Sequence, residues 1–169
     1  MKTERLQDLF ELGLCYINDC ETKLVKKGLP AMIDAASSPE LRQALEQHLR
    51  ETQNQVMRLQ QVFSIIGKEP DTEDNDIVDE MTKAAEKKIK NIDASPLRDA
   101  ALIESGNVVE HYEIATYGSL IAWARQLGFS EAATLLQQTL DEEETADEKL
   151  TALGEKVINP TAAQHLRAA

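Results

Sequence analysis

Two stretches of the chain repeat one carboxylate spacing. Glu21 and Glu51 are thirty residues apart, with Gln55 four residues beyond the second; Glu113 and Glu143 are also thirty apart, with Asp147 four residues beyond. Each glutamate interrupts an apolar stripe of helical period, where a carboxylate is costly unless it is paired or bound to a metal. Four carboxylates converging from four helices repel one another, and a bound dication is the simplest compensation. The implied chemistry is a carboxylate-rich two-metal centre. Oxygen ligands are hard donors, better suited to iron(II), manganese or magnesium than to zinc or copper.

Residues one turn from these four sort by end. His48 and Glu110 lie one turn from Glu51 and Glu113, towards the end that holds Asp147, while Gln55 and Tyr117 lie one turn the other way. An asymmetric centre is expected, with the ion held by Glu113, Glu143 and the Glu110/Asp147 side bound more tightly. His48 reads as a hydrogen-bonding neighbour of the ligands or a helix-surface residue rather than a ligand. Tyr117 reads as core filling with its phenol near the metals. Glu46, Glu142 and Glu144 read as solvated.

The elements that must position these groups are helices, since apolar residues recur at three- and four-residue spacing and nothing alternates as a strand does. Thr3 is expected to cap a first helix that ends or kinks at Gly28 and Pro30. Ser38-Pro39 opens a second helix reaching Gly67, with Leu41, Leu45, His48, Thr52, Gln55 and Leu59 along its stripe. A polar loop leads to a short helix near 77–92, with Ile77 and Met81 on its weak stripe. Ser95-Pro96 opens a long helix to about Leu127. Gly128-Phe129-Ser130 closes it and caps the last long one. The expected fold is all-α: a ferritin-like four-helix bundle of two antiparallel hairpins, with an extra short helix in the crossover. One domain is expected over 1–169, with its core at about 4–152 and an irregular tail over 154–169, where Pro160 interrupts.

The formal charge of −12 argues against nucleic acid or an anionic membrane as partner. Cys15 and Cys20 form no CxxC pattern and read as small buried or half-buried residues. The segment MKTERLQDLFELGL carries no apolar signal region, and no run is long enough to span a bilayer. A cytoplasmic location is expected.

Three segments carry a family resemblance: HLRETQNQVMRL (48–59), VEHYEIATYGSL (109–120) and LDEEETADEKL (140–150), with DAALIESGNVVEHYEIA (99–115) the most telling. Over about residues 4–152 the chain resembles the YciE/YciF-type ferritin-like proteins of bacteria. The resemblance implies a four-helix fold with a crossover helix, a homodimer, a rubrerythrin-like metal centre and an association with stress. Carried over by position, it implies Glu21, Glu51, Glu110, Glu113, Glu143 and Asp147 as ligands for two iron ions, or for manganese. The chain departs from ferritin-like two-metal proteins in lacking histidine three residues after Glu51 and Glu143, where Asn54 and Ala146 stand. It also has Tyr16 where the family often has aspartate. The expected function is a metal-binding protein with oxidase or peroxide chemistry, supplied by an external reductant. In that scheme Glu21 and Glu113 are terminal ligands, Glu51 and Glu143 bridges, and Glu110 a mobile extra ligand. The alternative is a non-catalytic structural or interaction protein with a vestigial or single-ion site.

Overall fold

Ser38 and Ser95 each accept a backbone N–H through Oγ, from Leu41 and Arg98, and each is followed by proline at the first helical position. Both capping pairs therefore act as the sequence predicts. The structure, a computed structural model, describes residues 3–165. Its α-helices are α1 (Leu6–Lys23), α2 (Leu29–Ala35), α3 (Pro39–Ile65), α4 (Asp76–Asn91), α5 (Pro96–Gln126), α6 (Ser130–Leu153) and α7 (Asn159–His165). Helix α1 packs on α3 and α5, α6 packs on the same two, and α4 lies against α5. This is the expected all-α bundle of two hairpins, with α4 in the crossover. Its core is filled by fully buried side chains such as Phe10, Leu14, Ile17, Leu45 and Leu120, each contributing about 1.5–3 kcal/mol by leaving water.

Glycine matters at three positions. Gly67 and Gly128 adopt φ of 71° and 81° and end α3 and α5. At Gly106 an added Cβ would lie 2.9 Å from Leu150 Cδ1, so its absence lets α5 and α6 approach closely.

The short link into α3 is tied to the second hairpin. Asp99, at the start of α5, accepts the backbone N–H groups of Ser37 at 2.7 Å and Ser38 at 2.9 Å, while Arg98 donates to the Ala35 carbonyl. The polar crossover loop is held along α1: Asn18 donates to the Asp71 carbonyl, and the Asn75 N–H donates to Asp19.

Several local expectations are corrected. Thr3 does not cap α1; Arg5 is the N-cap, and Asp8 accepts the N–H groups of Glu4 and Arg5. The helix does not end at Gly28 and Pro30. A π-turn over Leu24–Gly28, in which the Leu29 N–H reaches back to the Leu24 carbonyl, widens the helix before the proline ring and lets it continue as α2. The same device, Gly154–Ile158, precedes Pro160, so the tail expected to be irregular is helical to residue 165. Residues 166–169 lie outside the described residues. In α4, Ile77 is exposed and Val78 is the buried contact. Within the capping stretch Gly128-Phe129-Ser130, Phe129 is the N-cap of α6, and no side chain caps it. No described helix is long and apolar enough to cross a membrane.

Candidate metal centre

All four long helices send polar groups into the bundle interior. Helix α1 supplies Cys20 and Glu21, α3 supplies His48 and Gln55, α5 supplies Glu110, Glu113 and Tyr117, and α6 supplies Glu143. On α5 the spacing of three and then four residues places Glu110, Glu113 and Tyr117 on one face. Glu21, Glu113 and Glu143 have no exposed surface, and His48 retains 7%.

These side chains form two groups. Glu21, Glu113 and Glu143 each bring one carboxylate oxygen within 4.8 Å of the others, and so do the donor atoms of His48, Glu110 and Glu143. Glu143 belongs to both. His48 Nε2 lies 3.1 Å from Glu110 Oε1 and 4.0 Å from Glu143 Oε2. The Tyr117 phenol donates to Glu21 Oε1, and the Cys20 thiol lies 3.5 Å from Glu113 Oε1. Much of the donor capacity is unspent. Glu21 Oε2, Glu110 Oε2, Glu113 Oε2, both Glu143 oxygens and His48 Nδ1 are buried without a hydrogen-bond partner among the described residues. Native interiors rarely tolerate that, and so dense a cluster fits groups arranged for a cation.

Electrostatics agree with the geometry. Burial, partly offset by the Tyr117 hydrogen bond, raises the Glu21 carboxyl to about 7. Burial and the charges of Glu21 and neighbouring glutamates push Glu113 and Glu143 well above the ordinary carboxylate range. Burial opposes charging His48, but Glu110, Glu51 and Glu143 outweigh it and hold the imidazole well above its usual value. Burial, then Glu113 and Glu21, raises the Cys20 thiol. Without a cation the interior holds protons that a dication can displace.

The structure brings Glu21, Glu110, Glu113 and Glu143 together, and leaves Glu51 and Asp147 outside both groups. The Glu51 side chain is 24% exposed, with Oε2 at 3.9 Å from His48 Nδ1 and Oε1 accepting from Gln47. His48 and Gln47 hold its carboxyl at about 2 against partial burial. Asp147 lies one turn from Glu143, and its Oδ1 is 3.5 Å from His111 Nε2. His48, read from the sequence as a neighbour of the ligands, sits inside a group. The signal was in the stripe: Leu41, Leu45, His48, Thr52, Gln55 and Leu59 are all buried, and Glu51 is one position off that row.

Glu142, expected in solvent, instead closes one flank. It pairs with Arg58 through both oxygens, at 2.9 and 2.8 Å, and accepts from Gln55 at 3.1 Å, while Arg58 also donates to Thr139. Further along the same α3–α6 seam, towards the start of α3, a cleft of about 310 Å³ reaches His48.

Comparison with known proteins gives consistent matches over nearly the whole chain. The family model described as a domain of unknown function, DUF892, matches residues 5–163. Protein YciF of Escherichia coli (strain K12) is 35% identical over 170 residues, which span 96% of this chain and 98% of that protein. The crystal structure of the E. coli stress protein YciF superposes with a TM-score of 0.88 at 35% identity, over 93% of this chain and 99% of that one. YcfI from Rhodopseudomonas palustris superposes with a TM-score of 0.84 at 40% identity, over 88% and 94% respectively. The resemblance read from the three motifs is borne out.

Proposed function

The chain belongs to the DUF892 family, and from that premise we propose that it is a ferritin-like metal-binding protein with a dinuclear carboxylate–histidine centre for iron or manganese. Glu143 would be shared between two ions, one held with Glu21 and Glu113 and the other with His48 and Glu110. One observation carries this reading: a fully buried carboxylate common to two donor groups, with neither of its oxygens hydrogen-bonded among the described residues. Glu51 and Asp147 are outer carboxylates of the same centre, one turn from the resident donors.

When bound, such an ion pair supplies one-electron chemistry towards dioxygen or peroxide. The protein's own part is positional. Tyr117 holds one oxygen of Glu21 and leaves the other facing the centre. The Arg58–Glu142 pair seals one flank against water. Glu21, Glu113 and Glu143 release their protons as the centre loads. A relative at 35% identity is named a stress protein, and consumption of peroxide or dioxygen suits that setting. The reading carries with it a homodimer in the cytoplasm and an external reductant.

Metal analysis tests it. Apo-protein loaded anaerobically with iron(II) and then dialysed should retain two ions per chain, and Glu143→Gln should retain close to none. A wild-type protein that retains no metal, and whose thermal midpoint does not respond to chelator, would instead be the non-catalytic helical interaction protein.

A further inference from the structure

The cleft between α3 and α6 meets the buried centre at His48. The cleft's buried lining is His48 with Leu45, Ala146 and Leu150, and its charged residues are Glu40, Glu51 and Lys149, at the rim. His48 is more than nine-tenths buried. Its Nε2 faces Glu110 inside the bundle, while its Nδ1 faces Glu51 and has no hydrogen-bond partner among the described residues. Imidazole thus sits with one nitrogen towards each compartment.

We propose that this cleft is the way in for divalent metal ions, with Glu51 the carboxylate that first takes the hydrated ion and hands it past His48 to Glu110 and Glu143. The inference rests on the metal-centre reading and gives Glu51 a transient role distinct from that of the resident donors. Three features favour a hydrated dication over an organic molecule. The rim carries two carboxylates against one ammonium, a net negative balance that attracts cations. Within walls that are otherwise mostly apolar, Leu45 and Leu150 among them, the Glu51 carboxylate and His48 Nδ1 stand 3.9 Å apart as a pair of donors for a cation. Six waters at about 30 Å³ each make a shell of about 180 Å³, and the cleft of about 310 Å³ holds that volume. The other end of the same α3–α6 seam is occupied by the Arg58 guanidinium, clamped to Glu142 at 2.8 Å.

Cobalt(II) provides a probe that does not oxidise in air and reports its coordination by absorption. Full-length apo-protein is mixed with cobalt(II) in a stopped-flow cell, and both the rate and the final stoichiometry are read. Glu51→Gln keeps the shape and removes the charge; it should load about tenfold more slowly or worse, with the wild-type stoichiometry at equilibrium. Ala44→Leu narrows the mouth and should slow loading in the same way, and the helical circular-dichroism signal checks both folds. A Glu51→Gln protein that loads at the wild-type rate would place the way in elsewhere. One that lacks an ion at equilibrium would make Glu51 a resident ligand; either result overturns this proposal and leaves the metal centre standing. A wild-type protein that takes up no cobalt(II) would overturn both.

Discussion

Glu143 is the residue on which the centre turns, because the two donor groups have only that carboxylate in common. Replacing it with glutamine removes the donor that both groups share and one of the carboxyls whose ionisation destabilises the apo-protein as pH rises. Glu143→Gln should lose both ions, and its apo stability should fall less steeply with rising pH than that of the wild type, read from metal content and from chemical unfolding with chelator present. Tyr117 acts more quietly. Its hydrogen bond lowers the Glu21 carboxyl against the upward push of burial. Tyr117→Phe should therefore let Glu21 hold its proton to higher pH, so that half-loading with manganese(II) moves to higher pH than in wild type. An unchanged or lower half-loading pH would show that the phenol does not tune Glu21.

At the scale of elements, the bundle positions the donors through its helix ends. Asp99 is almost fully buried and ties the α2–α3 junction to α5 by accepting two backbone N–H groups. Asp99→Ala removes the acceptor of both N–H groups and should cost about 1–3 kcal/mol, measured by urea unfolding, with metal stoichiometry retained in the folded fraction. Serine–proline pairs and apolar periodicity made the long helices legible in the sequence. The π-turns before Pro30 and Pro160 were not legible, since proline signals a break whether the chain stops or widens by one residue. The site divided in the same way. Glu21, Glu110, Glu113 and Glu143 could be read from stripe and spacing. His48 and Glu51 could not be ranked by spacing alone: they are three residues apart, and a small rotation of α3 decides which one enters the interior.

For the whole molecule, the buried centre couples stability to pH. An acid whose pKa is higher in the fold than in the unfolded chain stabilises the fold while protonated, and that contribution is lost as pH rises through the folded value. Glu21, raised from 4.5 to about 7, behaves this way, and Glu113 and Glu143 are displaced in the same direction. His48 adds to the trend: its folded pKa is also raised, so its stabilisation is present at low pH and fades on the alkaline side. The apo thermal midpoint should therefore fall between about pH 5.5 and about pH 8. Manganese(II) binds the deprotonated donors, and should restore about 5 °C or more at the higher pH and less at the lower. A midpoint that rises with pH in the apo-protein would contradict the buried, protonated carboxylates.

The most direct measurement of the central claim is anomalous diffraction at the iron edge from crystals of iron-loaded protein. Two peaks about 3.5–4 Å apart are expected, one beside Glu21 and Glu113, the other beside His48 and Glu110, with Glu143 touching both. A single peak, or peaks only at Glu51 and the surface acids, would contradict it.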